Sequence, residues 1–331
     1  MLFIYIILIY VYSHYTSMTR RFYILLCMIA VLATSCRSNF VTIERSRHER
    51  SDSAFIHYLK SEGVPYTANN EVTILNGADI KFDSLLKDIN EAKHHIHLEY
   101  FNFRNDSINK VLLELLAKKA KEGVEVRAMF DAFGNLSNNR PLRKKDLKAI
   151  RSAGIDIVKV DPVRFPWINH LFSRDHRKIA IIDGRKAYTG GVNVADYYID
   201  GIEDVGAWRD MHSIVEGEVV NELQKIFLDM WQEQTGEYLK GECYYPHVEK
   251  KGNAEIAVVD RWPHRTPSRM RDAYANAINA AKDSIIIISP YFMPLRNVRT
   301  AIEKALNDSV KVTLVLSEKG DLRMIPDGVW H

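Results

Sequence analysis

One short stretch concentrates the side chains that could do chemistry. Residues 175–193 read DHRKIAIIDGRKAYTGGVN and bring together His176, Lys178, Asp183, Gly190, Gly191 and Asn193. A neutral imidazole can attack phosphorus and hold the phosphoryl group covalently. A fixed ammonium offsets charge on the non-bridging oxygens. A carboxylate can orient an imidazole through its second nitrogen. Paired glycines let the backbone approach a ligand closely, and a carboxamide offers donors to a phosphoryl oxygen. This is the equipment of phosphodiester exchange. A lone His-x-Lys in a strand ordinarily means nothing; the Asp five residues on, followed by Gly-Gly-x-Asn, gives the pattern its weight.

The chemistry needs elements to hold it. Side chains two apart in a strand share a face, so His176 and Lys178 stand side by side. The apolar run 179–182 continues as a buried strand. Asp183-Gly184 is a hairpin-turn signal, and 185–189 brings the chain back. Upstream, 71–75 (EVTIL) alternates as a strand. Phe82, Leu85, Leu86 and Ile89 recur at helical spacing. Residues 95–103 alternate again, and Val111, Leu112, Leu115, Leu116 and Ala120 form an amphipathic helix that stops at Gly123. Strand 124–130, basic helix 142–153 and strand 155–160 follow. The β-α-β-α-β-α-β order argues for an α/β fold, a sheet with helices on its faces.

An internal repeat is legible. INEAK before HHIHLEYF at 89–101 matches INAAK before DSIIIISPYF at 278–292. A helix and a strand follow each copy (VEVRAMF, then VKVTLVL), at an offset of roughly 186–191 residues. Two similar lobes are expected: 69–245 as the first domain and 246–331 as a partial second, after a linker over 37–68.

Composition narrows the class. Of 331 residues, 47% are hydrophobic and 26% charged, which suits a globular chain, and a net charge of +3 is too small for a nucleic-acid binder that works through bulk charge. Cys27, Cys36 and Cys243 offer no disulfide framework, and no zinc-type Cys/His spacing occurs, so neither a metal nor another cofactor is expected. Residues 1–36 read as a targeting segment. Arg20 and Arg21 precede an apolar run to Leu32, then small residues before Cys36. The ending ATSC resembles a bacterial lipobox, with Cys36 as the lipidated residue and Met18 as the start. A single uncleaved anchor is the other reading. Both put the protein on a bacterial membrane or envelope.

His-x-Lys-x4-Asp followed by Gly-Gly-x-Asn is the signature of the phospholipase D superfamily. The flanks HIHLEYFNFRND, KEGVEVRAMFDAFGN, WRDMH (208–212), IVEGEVVNELQKIFLDMW and SPYFMP (289–294) resemble cardiolipin synthases. The resemblance implies a phospholipase D-like α-β-α sandwich lobe (a mixed sheet flanked by helices) followed by an incomplete second lobe of the same kind. It implies transfer of a phosphatidyl group from one phosphatidylglycerol to another through a phosphohistidine, with glycerol released. On the family pattern His176 is the nucleophile or its acid/base counterpart, Lys178 and Asn193 contact the phosphate, Gly191 lets the backbone approach it, and Asp183 supports the site. Glu99 belongs near the site on this pattern; an exposed strand-end carboxylate is the other reading. Asp210 reads as an ion pair with Arg209 or another cation, or as part of the site. The basic stretch 140–151 is either a solvated helix face or a contact for anionic headgroups. Phe165, Pro166, Trp167 and Ile168 either dip into lipid or pack beneath it.

The sequence departs from the family in one respect. Two His-Lys-Asp motifs are the family pattern, and the second histidine would fall at about position 365. Three readings stand: a truncated product, a homodimer completing one site from two copies, or an inactive lipid-binding protein. A phospholipase D-type hydrolase or nuclease is the alternative enzyme, since the motif does not encode the acceptor.

Overall fold

The computed structural model describes residues 50–162, 174–203, 206–262 and 269–317. The targeting segment with Cys36, and the apolar patch at 165–168, lie outside the described residues.

The order of elements is α1 (Asp52–Ser61), β1 (Tyr66–Leu75), α2 (Ala78–Glu91), β2 (His95–Tyr100), α3 (Ser107–Lys121), β3 (Glu125–Asp131), α4 (Ala132–Ser137), α5 (Lys144–Ser152) and β4 (Asp156–Val160). Then come β5 (Lys178–Ile182), β6 (Lys186–Gly190), α6 (Tyr197–Asp200), β7 (His212–Glu216), α7 (Val219–Thr235) and β8 (Ala254–Ala257). The chain continues with α8 (Arg269–Ala280), β9 (Ser284–Ile288), α9 (Arg296–Asn307) and β10 (Lys311–Val315). No helix among the described residues is long and apolar enough to cross a membrane.

Strands β1–β8 form one mixed sheet in the order β4-β3-β2-β5-β6-β7-β1-β8. β2, β3 and β4 run parallel, joined by helical crossovers, while β5 enters antiparallel to β2 with Tyr100 opposite Lys178. The β5–β6 hairpin turns through Asp183 and Gly184, both at positive φ, in a three-residue loop between the paired Ile182 and Lys186. Phe82, Leu85 and Ile89 of α2, Leu112 and Leu116 of α3, and Leu147 and Ile150 of α5 pack on one face of the sheet. α7 covers the other face with Leu223, Phe227 and Trp231 against Met129, Ile179 and Ile181. Each such side chain taken from water contributes about 1.5–3 kcal/mol.

Three features go beyond the sequence expectation. Residues 95–103 read as an alternating strand, and all six residues of β2 are buried, because α7 lies over the side that carries His95 and His97. α4 was not anticipated. β8, beyond the expected boundary at 245, pairs with β1 and covers what would otherwise be a free sheet edge.

The repeat has a structural counterpart. β9 and β10 pair in parallel with Ser284 opposite Lys311, as His95 lies opposite Glu125 in β2–β3. α8 and α9 cover one face through Ile278, Ala301 and Ile302. The opposite face, which α7 covers in the first copy, leaves Ile286 67% and Ile288 72% exposed.

Candidate active site

The candidate site lies at the end of the sheet where β2 and β3 finish and β5 begins. His176 and Lys178 enter on consecutive same-side positions. Lys178 Nζ stands 3.0 Å from His176 Nδ1 and donates to the His176 carbonyl at 2.7 Å. The Phe101 ring lies 4.5 Å from the imidazole, centroid to centroid, and 5.6 Å from the ammonium. Lys178 is buried while His176 keeps an exposed edge. Loss of solvation, and then the neighbouring Lys178 charge, lower the His176 pKa to about 4, so the ring is neutral near pH 7. Loss of solvation also lowers Lys178 to about 8, against the pull of Asp175, Asp210 and Asp131.

The geometry has a tautomeric consequence. An ammonium at Lys178 donates to Nδ1, which leaves the ring proton on Nε2. Attack through Nε2 requires that proton on Nδ1 instead, with Lys178 swung toward the phosphate it would neutralise.

The chain entering His176 is fixed by Asp131 at the end of β3. Its carboxylate accepts from Gly134 N at 2.8 Å, from Arg174 Nε at 3.0 Å and from Asp175 N at 3.1 Å. Arg177, between the two functional residues, points to the opposite side of the strand. Its guanidinium donates to Glu99 at 3.0 Å, to Asp175 at 3.4 Å and to both oxygens of Asp260 at 2.7 and 2.9 Å, and lies 5.4 Å from the Trp262 ring. Glu99 is wholly buried rather than exposed. Burial first, then the Asp175 carboxylate, push its pKa well above the usual range against the pull of Arg177.

The remaining expected residues fall as follows. Asp183 lies at the other end of β5, about 16 Å along an extended strand from Lys178. Its carboxylate accepts from the Lys93, His94 and His95 amides and so pins the start of β2. Asn193 is buried, with Nδ2 on the Tyr198 hydroxyl at 2.8 Å and Oδ1 unpartnered. With the amide turned over, Tyr198 would donate to Oδ1 and the NH2 group would be free for an acceptor. The glycine pair meets protein: a Cβ at Gly190 would stand 2.6 Å from His212 Cα, and one at Gly191 2.0 Å from Asp210 Oδ1. Asp210 makes no ion pair with Arg209 among the described residues; its carboxylate accepts from Met211 N at 2.7 Å and its charge is felt at Lys178. Asp131, Asp175, Arg177 and Phe101 were missed as site residues. Only the FDAFG turn around Asp131 carried a local signal, an acceptor three residues before a free amide.

Residues 85–231 match the family described as cardiolipin synthase, PLD-like domain. A cardiolipin synthase of Oceanobacillus iheyensis is 36% identical over 82% of this chain and 56% of its own length. Cardiolipin synthase 2 of Staphylococcus epidermidis is 38% identical over 77% of this chain and 52% of its own. The chain thus spans about half the length of the curated relatives it matches. Among solved structures, the phosphatidylserine synthase of Haemophilus influenzae superposes with a TM-score of 0.58 at 13% identity, over 80% of this chain and 66% of that one, a likeness of fold.

Proposed function

The chain belongs to the phospholipase D superfamily and carries its cardiolipin synthase-type domain, and on that basis we propose that it is a phosphatidyltransferase that makes cardiolipin from two molecules of phosphatidylglycerol. The observation that carries this reading is the neutral, solvent-edged His176 with the Lys178 ammonium 3.0 Å from its Nδ1. His176 Nε2 forms a bond to phosphorus as the bond from phosphorus to the headgroup glycerol oxygen breaks, and that oxygen takes a proton from solvent at the exposed edge of the site. A headgroup hydroxyl of the second lipid then attacks phosphorus, breaks the P–N bond and gives up a proton. The cycle is proton-neutral and needs no cofactor. Lys178, and Asn193 with its amide turned over, supply the charge and donors for the non-bridging oxygens. A phospholipid substrate puts the reaction at a membrane surface, where Cys36 lipidation would hold the chain.

The test is product analysis on phosphatidylglycerol. Cardiolipin and glycerol in equal amounts, lost in His176→Ala, are expected. Phosphatidic acid as the main product would replace the transferase with a hydrolase, and turnover that survives His176→Ala would remove His176 as nucleophile.

A further inference from the structure

The chain leaving β3 does not go straight to β4. It makes α4, then residues 138–143, then α5, and this detour is pinned to the end of the sheet where His176 stands. Asn138 Nδ2 donates to Asn102 Oδ1 at 2.9 Å, and Asn105 N donates to the Arg140 carbonyl at 2.8 Å. The Asn135 side chain bonds both the carbonyl and the amide of Leu142. Asn102 and Asn105 follow directly on β2, whose last residue faces Lys178 across the sheet. The detour is a fixed ledge beside the mouth of the site, with a cavity of about 250 Å³ lined by Asn105, Asn139, Arg140, Arg143, Lys145 and Asp146.

Two properties of the ledge serve no folding purpose. The first is charge. Arg140, Arg143, Lys144, Lys145 and Lys148 are exposed, and none has an ion-pair partner among the described residues. The acid among them, Asp146, is occupied in capping the Arg143 amide at 2.8 Å. Elsewhere three exposed helix cations meet an acid one turn on, Lys118 with Glu122, Lys225 with Asp229 and Arg299 with Glu303. With a net charge of only +3 on the whole chain, five unpaired cations on one ledge are a local concentration. The second property is apolar: Leu136 on α4, four residues before Arg140, is 65% exposed.

We propose that this ledge docks the protein on an anionic bilayer, with Leu136 entering the acyl boundary and the five cations facing lipid headgroups. The inference rests on the lipid-substrate reading above and adds to it the face that meets the membrane. A cationic run around an exposed apolar side chain suits an interface of headgroups over hydrocarbon. A groove for single-stranded nucleic acid would interleave its cations with aromatic rings for stacking, and residues 136–148 contain none.

The experiment is sedimentation of the full chain carrying Cys36→Ser, so that no acyl chain masks the ledge, with vesicles of phosphatidylcholine containing phosphatidylserine, an anionic lipid that is not the proposed substrate. The variants are Lys144→Gln/Lys145→Gln/Lys148→Gln, Leu136→Ala, and a control pair, Lys118→Gln/Lys121→Gln, at the far end of the sheet. Each lysine near an anionic surface is worth roughly a five-fold factor in affinity, so the triple variant should bind at least about ten-fold more weakly while the control pair holds. Leu136→Ala should weaken binding by about three- to ten-fold with no change in salt dependence. Equal binding by the triple variant and the parent, equal loss in the control pair, or tighter retention on duplex DNA than on the vesicles would overturn the proposal. Thermal melting of each variant guards against misfolding. Turnover of phosphatidylglycerol in uncharged detergent micelles separates the two claims. Product from parent and triple variant alike is expected, a selective loss in the triple variant would overturn docking as its role, and no product from the parent would sink the functional reading while the vesicle comparison still decides the ledge.

Discussion

Arg177 and Asp260, 83 residues apart, are joined by two parallel hydrogen bonds of 2.7 and 2.9 Å. The pair clasps the residue between His176 and Lys178 to the segment that follows β8. The other side of the guanidinium rests on Glu99 and Asp175, so four side chains fix the strand entrance from behind. An ammonium cannot reproduce that fork. Arg177→Lys should lower kcat by about ten- to a hundred-fold with little change in KM, because a misplaced nucleophile costs rate more than ground-state binding. Asp260→Asn keeps one acceptor and should lose less. Steady-state kinetics on phosphatidylglycerol decides; a pure KM effect would show that the clasp shapes lipid binding instead.

The titration of the functional pair sets a pH profile. His176 attacks as the neutral ring, and its pKa lies at about 4; Lys178 acts as the ammonium, and its pKa lies at about 8. Below the first value the ring is protonated and cannot attack, and above the second the ammonium is lost. kcat/KM should therefore form a plateau between the two and fall on either side. A guanidinium does not deprotonate in this range, so Lys178→Arg should retain reduced activity and lose the alkaline limb. A limb that persists near pH 8 in Lys178→Arg would assign it to another group.

Much of this arrangement could be read from local pattern. Leu112 and Leu116 on α3, and Phe82, Leu85 and Ile89 on α2, announce their helices, and Asp183-Gly184 announces its hairpin. What failed was long-range. α7, more than a hundred residues later, covers His95 and His97, and Arg177 covers Glu99, so local alternation does not reveal their burial. Asp183 sits near His176 in sequence, but the extended rise of β5 carries it to the far end. Arg177 looked like the variable residue of His-x-Lys because nothing within its own stretch hints at Asp260.

The buried histidines predict how the fold meets acid. His95 and His97 share Gln224, which bonds one ring at 3.2 Å and the other at 2.9 Å. Burial first, then the neighbouring ring for His95 and Arg127 for His97, lower both pKa values to about 3. Burial, then Lys81 and Lys178, lower His212 to about 2. Each folded value lies below the ordinary 6.5, so the unfolded chain binds more protons between the two. Stability is therefore full above about pH 6.5 and is lost as pH falls toward 3. Urea midpoints measured from pH 7 to 4 should decline steadily. In His97→Phe, which preserves the stack on Phe227 (4.3 Å between centroids), the decline should be shallower. An unchanged slope would remove His97 from the linkage.

The glycine pair offers a test of packing against chemistry. A Cβ at Gly191 would sit 2.0 Å from Asp210 Oδ1 and 2.6 Å from its Cγ, so Gly191→Ala must displace that carboxylate. The displaced Asp210 contributes charge near Lys178, and its loss should lower the Lys178 pKa further. Gly191→Ala is expected to destabilise the protein by about 1–3 kcal/mol through overpacking and to move the alkaline limb of kcat/KM to lower pH. Asp210→Ala alone should move the limb the same way without the overpacking. In the double variant Gly191→Ala/Asp210→Ala the clash has no partner, so thermal stability should recover toward that of Asp210→Ala while the limb stays displaced. Additive losses of stability would mean that Gly191 is required by something other than Asp210, and the close approach of a ligand to its backbone would then be the reason to keep it.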